Sequence, residues 1–290
     1  MALRIIRTVE ELRSLLRTER LAERTIGLVP TMGAFHAGHR SLMERAVAAH
    51  DVTVVSLFVN PTQFAPTDDL DAYPRDEQRD AEVAAGAGVD YLFAPSVDEV
   101  YPDGFATTVS VAGVAATLEG AHRPGHFDGV ATVVSKLLNM VQPDVAYFGQ
   151  KDAQQALVIR RLVRDLDIPV RIEVCPTVRE PDGLAMSSRN AYLGTDDRVR
   201  AIALRRALDA AEAAVAGGQR DAAAVERVAR AALAEYAVEP EYVALVATDT
   251  LSPVDRLDGE VLLALAARVG PARLIDNTIL STTDGAPVPA

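Results

Sequence analysis

The chain has 290 residues, of which 49% are hydrophobic, and its 29 basic and 41 acidic residues give a formal net charge of −12. This length suits one large domain or two modest ones, and the acidic balance argues against a general nucleic-acid-binding protein. Because no apolar run approaches the roughly 20 residues that span a bilayer, and the N-terminus lacks the pattern of a signal peptide, we expect a cytoplasmic protein without a membrane partner.

The first predicted strand, 25–30, is followed by a loop with two of the five histidines and then by a predicted helix, 39–50. Gly33 and Gly38 permit close backbone approach to a ligand, and a helix N-terminus favours phosphate. His36 and His39 are three residues apart, so both rings can reach one phosphate region. We favour this interpretation over a glycine-rich turn with incidental histidines. A metal site lacks an evident third ligand nearby.

The second predicted strand, 52–59, is a nearly unbroken run of apolar and β-branched residues, which is typical of a strand buried on both faces of a parallel sheet. Asn60 and Gln63 follow it directly. Their amides can bind hydroxyl and carboxylate groups without adding charge. A simple Asn-Pro turn explains the segment equally well.

A predicted helix, 75–86, and a short predicted strand, 89–93, come next. The segment 118–129 then combines glycines with Arg123, His122 and His126 before a predicted helix at 129–140. We favour a mobile basic loop over the site rather than an ordinary surface loop. We nevertheless predict that both histidines of this segment are ordinary surface residues.

The predicted strand 144–148 is followed by Lys151 at the start of a predicted helix, 153–166. A cation is unfavourable there because of the helix dipole, so a bound anion would explain it. Asp152 suits the same position for structural reasons alone. Gln155 lies one turn after Lys151 and shares its face.

These alternating strands and helices, completed by a strand at 170–174, predict an α/β fold with a Rossmann-like doubly wound parallel sheet. Ligands of such sheets bind at the carboxyl ends of the strands. The polar residues that directly follow each strand are therefore the expected functional ones.

The pattern changes after about residue 177. A turn at 187–189 places two serines beside an arginine, which suits a polyphosphate, although a helix-capping serine pair is the alternative. Helices followed by strands predict a smaller α+β domain, 178–290, after a catalytic domain at 1–177. The residues 281–290 are expected to form a disordered tail. The predicted elements are helices at 198–216 and 222–236 and strands at 242–246, 261–266 and 273–275.

Five segments together resemble the pantoate–β-alanine ligase family, and the resemblance extends to about residue 277. The histidine loop alone would indicate only the broader nucleotidylyltransferase superfamily. The Asn-Pro-Thr-Gln-Phe and Arg-Pro-Gly-His-Phe sequences narrow the resemblance to the ligase. The segments are 30–39, 58–64, 123–127, 148–155 and 186–190.

The resemblance implies an ATP-dependent condensation of pantoate with β-alanine, with magnesium, through a pantoyl adenylate, giving pantothenate, AMP and pyrophosphate. It also implies a homodimer. The catalytic residues that it implies are His39, as proton donor, with His36, Lys151 and Arg189. The implied ATP contacts are Met32, Gly33, His36, Gly38, His39, Gly149, Gln150, Lys151, Asp152, Val178, Met186, Ser187, Ser188 and Arg189. The implied pantoate contacts are Gln63, Gln155, Asn60 and Arg123, and the implied β-alanine contacts are Gln63 and Tyr73.

Three positions depart from the family pattern. Arg40 stands where the family commonly has an apolar residue, and Phe35 replaces the usual leucine, so we expect altered packing beneath the loop. Gln150 stands where many members have glutamate, which leaves a less negative edge beside Lys151.

Two other functions compete with the ligase. A nucleotidylyltransferase would leave the nucleotide on its product, but Gln63 and Gln155 suit an uncharged pocket for a hydroxy acid. A nucleotide-sensing protein without activity is the other alternative. The presence of Lys151 and of the serines and arginine at 187–189 argues against it.

Overall fold

The computed structural model describes residues 2–64, 70 and 73–282. The chain forms two compact units, Met1–Val178 and Arg179–Ala290. The strands of the first unit form one six-stranded sheet in which all strand pairs are parallel. They are β1 (Arg4–Ile6), β2 (Ile26–Thr31), β3 (Val52–Leu57), β4 (Tyr91–Phe93), β5 (Val145–Gly149) and β6 (Arg171–Cys175).

The order across this sheet is β1-β4-β3-β2-β5-β6. From β2 the chain builds outward through β3 and β4 on one side, and β5 and β6 lie on the other. The order therefore reverses between β2 and β5, and a crevice opens beyond the carboxyl ends of strands at such a point. Both central strands are buried, with Ile26 opposite Val52 in the β2–β3 register and Gly27 opposite Val145 in the β2–β5 register.

Helices cover both faces of this sheet, as the connections between parallel strands require. The most deeply buried of them runs from His126 to Val141 and is apolar around most of its circumference. In the described part of the chain, no helix is long and apolar enough to cross a membrane. The helices of the first unit are α1 (Val9–Leu21), α2 (Ala37–Ala49), α3 (Glu77–Gly86), α4 (Val97–Val100), α5 (Glu119–His122), α6 (His126–Val141) and α7 (Ala153–Asp165).

In its described residues, the second unit contains three α-helices followed by an antiparallel sheet of order β7-β8-β9. The alanine-rich faces of its helices pack on one side of this sheet around Leu204, Leu208 and Leu263. The elements are α8 (Thr195–Ala201), α9 (Ala203–Ala216), α10 (Ala222–Ala234), β7 (Pro240–Ala247), β8 (Glu260–Val269) and β9 (Ala272–Ser281).

The predicted fold class is confirmed, with differences at particular elements. The sequence patterns gave no prediction for β1 and α1, and α6 begins three residues earlier than predicted. The third strand of the second unit was predicted as 273–275 but extends over ten residues, since it pairs with β8 along its length. The predicted tail begins at Ser281, which is the last residue of this strand, and Thr282 is hydrogen-bonded to Gly259. The remaining tail prediction, 283–290, lies outside the described residues.

Candidate active site

The segments after β2 and β5 flank the point where the strand order reverses. The segment after β2 contains His36 and His39, and the segment after β5 contains Lys151. Since β2 and β5 are hydrogen-bonded neighbours, their carboxyl ends bring these residues to one edge of the sheet.

His36 caps the N-terminus of α2 with its own side chain. Its Nδ1 accepts a hydrogen bond of 3.1 Å from the backbone N–H of Gly38. A ring nitrogen that accepts has no proton, so a neutral His36 has its proton on Nε2. The cap therefore fixes His36 as a donor through Nε2, beside the positive end of the helix. The N–H of Gly38, a predicted ATP contact, is engaged in this cap.

The rings of His36 and His39 lie against each other, with centroids 4.1 Å apart, and the buried ring of Phe35 contacts His39 at 5.5 Å. The pKa of His39 is lowered to about 3, mainly by burial and also by the nearby His36 and Lys151. His39 is consequently neutral at pH 7. Among the described residues, its buried Nδ1 has no hydrogen-bond partner.

The loop before these histidines is fixed by a carboxylate that the sequence patterns did not identify. Asp80, on α3, is 2% exposed and accepts hydrogen bonds from the N–H groups of Ala34, at 2.9 Å, and Phe35, at 2.7 Å. Gly33 and Ala34 both have positive φ angles, 93° and 53°. No local pattern marks Asp80, because its partners lie 45 and 46 positions away.

Asn60 and Gln63, which follow β3, form a buried pair. The Asn60 Oδ1 accepts from the Tyr101 hydroxyl at 2.8 Å and from the hydroxyl and N–H of Thr62. Its Nδ2 donates to the carbonyl of Gly129 and to Gln63 Oε1, both at 3.1 Å. The oxygen and the nitrogen of the Asn60 amide are thus both engaged within the protein, and its pantoate contact stays a prediction.

The amide nitrogen of Gln63 is the group that can donate a hydrogen bond to a ligand. Its Oε1 is occupied by Asn60, and its Nε2 lies 3.0 Å from the sulfur of Met32, a weak acceptor. Met32 belongs to the loop after β2, so this contact joins the predicted acid-binding segment to the histidine loop. Gln63 therefore suits an oxygen acceptor such as a carboxylate.

Helix α6 packs directly on the short 3₁₀ turn Pro61–Gln63. A Cβ at Gly129 would lie 2.6 Å from the backbone nitrogen of Gln63 and would also overlap the carbonyl of Thr62. Only glycine permits this approach, which is why Asn60 can reach the Gly129 carbonyl.

His126, predicted to be a surface residue, is half-buried at the start of α6. Its Nδ1 donates to the carbonyl of Gln63 at 2.8 Å, and its Nε2 accepts from Arg123 at 3.2 Å. Burial lowers the pKa of His126 to about 4, and the Arg123 charge acts in the same direction. The surface prediction for His126 is therefore wrong, because the turn at Gln63 covers it. His122 is exposed, as predicted.

The residues after β5 form a 3₁₀ turn, Gln150–Asp152, that leads into α7. Lys151 is half-buried and lies close enough to lower the pKa of His39. Gln155 is half-buried in the first turn of α7. Its neighbour Gln154 is buried and bonds the N–H of Glu119 and the carbonyls at 114 and 117, so it fixes the loop before α5.

Tyr73, the predicted β-alanine contact, has an aromatic neighbour in the first unit. Its ring lies edge-on to that of Phe64, with centroids 5.9 Å apart. Phe64 directly follows Gln63, so Tyr73 lies near the same turn. Gly149 ends β5, and Val178 is half-buried at the end of the first unit.

The second unit carries the other predicted ATP contacts. Ser187 caps a short 3₁₀ helix, accepting from the N–H of Arg189, whose side chain is exposed. Met186 and Ser188 are half-buried. Asn190 ties this turn to Glu180, which is ion-paired with Arg198. The capping alternative thus holds for Ser187, and its ATP contact stays a prediction.

The departures from the family pattern have different consequences. Phe35 is buried beneath the loop and contacts His39, and a packing altered from that of the family stays a prediction. Arg40 is exposed and forms an ion pair with Glu44 one helical turn away, so its expected effect on that packing is wrong. Gln150 is half-buried beside Lys151.

Comparison with known proteins identifies similar sequences along nearly the whole chain. The family model described as pantoate-beta-alanine ligase matches residues 4–279. The pantothenate synthetase of Moorella thermoacetica is 52% identical over 281 residues, which cover 97% of this chain and 99% of that protein. The pantothenate synthetase of Cereibacter sphaeroides is 54% identical over 273 residues, covering 94% and 98%.

Solved structures agree with the sequence comparison. The pantothenate synthetase of Thermus thermophilus has a TM-score of 0.91 and 48% identity, with 95% of this chain and 98% of that chain covered. The pantoate-beta-alanine ligase of Francisella tularensis, complexed with beta-gamma ATP and beta-alanine, has a TM-score of 0.79 and 37% identity, with 96% and 98% covered.

Proposed function

We propose that this chain, which belongs to the pantoate–β-alanine ligase family, joins pantoate to β-alanine through a pantoyl adenylate, releasing pyrophosphate and then AMP. Family membership makes it an amide-forming ligase and selects that function over the two alternatives considered from the sequence. The adenylate and the order of release are the steps that we add.

One observation carries the proposal. His39, which is neutral, lies with His36 and Lys151 at the β2–β5 edge. The contact between Met32 and Gln63 joins that edge to the amide nitrogen of Gln63, a hydrogen-bond donor. Phosphate oxygens suit the first group, and a carboxylate suits the second. The site is therefore built to bring a carboxylate against a phosphate, as adenylation requires. The description of the Francisella relative with ATP and β-alanine supports the same substrates here.

In the first step, a carboxylate oxygen of pantoate attacks the α-phosphorus of ATP, and the bond to pyrophosphate breaks. The carboxylate is ionised at pH 7, so this step needs no base. Lys151 and the N–H groups of His36 and His39 would stabilise the charge that develops on the phosphate oxygens, a contribution that is often large. A phosphate against His39 would also raise its pKa, so the ring could hold a proton after ATP binds.

In the second step, the amine nitrogen of β-alanine attacks the acyl carbon, and the bond from that carbon to AMP breaks. The amine must be neutral to attack, so its proton passes to water or to a nearby histidine. Gln63 and Gln155 would hold the pantoyl group in place, and Tyr73 would lie at the β-alanine end. Arg189, Ser187, Ser188 and Met186 of the second unit are further ATP contacts that we propose from the resemblance.

Magnesium fits this chain only as a companion of ATP. Within the described ranges, no group of three or more His, Cys, Asp or Glu side chains is placed to hold a metal ion. Mg²⁺ commonly binds through substrate phosphates and retains several waters, so a protein cage is not required. When bound, it would neutralise phosphate charge. A homodimer and a cytoplasmic location are the other properties that we propose from the resemblance.

Rapid-quench measurements test the order of the steps. Enzyme mixed with ATP and pantoate, without β-alanine, should release one equivalent of pyrophosphate in a burst while AMP stays enzyme-bound as the adenylate. Addition of β-alanine should then release AMP and pantothenate together. Pyrophosphate release that requires β-alanine from the start would contradict the two-step scheme.

A further inference from the structure

The turn that leads to the two histidines has a backbone conformation that its sequence does not favour. Gly33 has φ 93°, and Ala34, which has a Cβ, has φ 53°. The left-handed region is disfavoured for residues with a Cβ, and such a residue persists only where its surroundings hold it. Something other than local preference therefore keeps this turn in place.

Asp80 supplies that restraint. Both of its carboxylate oxygens are used, Oδ2 by the N–H of Ala34 and Oδ1 by the N–H of Phe35. The side chain is 2% exposed. Burial raises the pKa of Asp80, whereas the two N–H groups act in the opposite direction because they stabilise the charged form.

The carboxylate of Asp80 does not cap its own helix, α3. The N-terminus of α3 is already capped by Asp76, whose side chain accepts from the N–H of Arg79 at 3.0 Å. Asp80 instead accepts hydrogen bonds from a loop 45 and 46 residues earlier in the chain. Because both oxygens are buried and occupied, it is also unsuited to contact a substrate.

The restrained residues adjoin the histidines directly. Phe35, which donates to Asp80, contacts the ring of His39, and the next residue is the helix cap His36. We infer that Asp80 is a positioning residue, which holds the turn 33–35 so that His36 and His39 face the phosphates of ATP. The catalytic consequence rests on the proposed function, whereas the positioning of His39 can be measured without turnover.

Asp80→Asn is the direct test, since an amide keeps the size of the side chain but can accept at only one end. Asp76→Ala is the matched control, because it removes an exposed cap from the same helix and costs stability without touching the loop. We expect Asp80→Asn to slow adenylation at least 10-fold per folded molecule. We also expect NMR titration to show the pKa of His39 rising toward the ordinary histidine value. Asp76→Ala should change neither quantity.

Ala34→Gly in the Asp80→Asn background distinguishes positioning from a general loss of stability. Glycine adopts the left-handed conformation without a steric penalty, so this second change should restore part of the rate and part of the His39 shift. If Asp80→Asn does not fold, Ala34→Val with Asp80 intact should reproduce both effects, because a β-branched residue is strongly disfavoured at positive φ.

The inference is overturned if Asp80→Asn keeps a normal adenylation rate and an unchanged His39 titration. A loss of stability alone, as expected for Asp76→Ala, would count as that result. A wild-type chain that forms no adenylate would refute the proposed function instead. The His39 titrations of the variants would still decide the positioning role in that case.

Discussion

The amide nitrogen of Asn60 donates to the amide oxygen of Gln63 at 3.1 Å, inside the 3₁₀ turn after β3. The backbone N–H of Thr62 and the carbonyl of Gly129 fix which end of Asn60 is which, because an N–H can only donate and a carbonyl can only accept. The buried Asn60 thereby fixes the orientation of the Gln63 amide and leaves its nitrogen as a donor.

Asn60→Asp should reverse this polarity. A carboxylate would place an acceptor against both Gly129 and the Gln63 oxygen, and the Gln63 amide would turn its oxygen toward the acid. We expect the KM for pantoate to rise at least 10-fold while the KM for ATP changes little, measured by steady-state kinetics. Asn139→Asp, an exposed position on α6, is the control. Equal changes in both KM values would contradict the role of Asn60 in orienting the Gln63 amide.

His39→Ala and Lys151→Ala should each slow adenylate formation by about two orders of magnitude, as the loss of a charge-stabilising donor often does. Arg40→Ala removes an exposed cation one residue from His39 and should leave the rate within about two-fold. Single-turnover pyrophosphate release measures all three. A near-normal rate for either of the first two variants would remove that residue from the proposed chemistry.

Two histidines with lowered pKa values, His39 and His126, should make stability fall as the pH drops below neutrality. Their pKa values are about 3 for His39 and about 4 for His126 in the folded chain, against about 6.5 when unfolded. The unfolded state thus binds more protons as pH falls from 7 to 5, and each histidine should lower the free energy of unfolding by at most about 2 kcal/mol at pH 5. Urea denaturation at both pH values measures this.

The histidine variants provide the control for that experiment. His39→Gln and His126→Gln should each show a smaller fall in stability between pH 7 and 5 than the wild type. Most carboxylates stay ionised in this window, so they contribute little to the change. Unchanged slopes in both variants would show that other groups cause the pH dependence.

Gly129→Ala should destabilise the first unit, because the added Cβ would overlap the backbone of the turn at 61–63. Overpacking of this kind typically costs about 1–3 kcal/mol. Gly86→Ala is the matched control, since a Cβ at the end of α3 meets nothing within 4 Å, and the loss of unfolded-state freedom should make it neutral or stabilising. Chemical denaturation compares them, and equal effects would contradict the close approach of α6.

The sequence predicted what local patterns encode. The apolar run at 52–59 is a strand because burial on both faces leaves no alternation, and the rule that ligands bind after parallel strands located His36, Gln63 and Lys151 correctly at the ends of β2, β3 and β5. The three-residue β1 escaped prediction because it is too short to show a period.

The residues that the sequence missed depend on contacts between distant segments. Asp80 is read from the sequence as an ordinary helical acid, and only the fold places it against the N–H groups of Ala34 and Phe35. His126 resembles a surface histidine in the sequence, and only the fold places it against the carbonyl of Gln63, 63 positions earlier. The polarity of Gln63 likewise follows from a hydrogen-bond network, which residue types alone do not specify.

The adenylate is the central claim, and oxygen transfer tests it most directly. Pantoate labelled with ¹⁸O in its carboxylate should be incubated with the enzyme, ATP and β-alanine, and the AMP and pyrophosphate should be analysed by mass spectrometry. Attack of the carboxylate on the α-phosphorus predicts one labelled oxygen in AMP and none in pyrophosphate. Unlabelled AMP formed together with pantothenate would contradict the account.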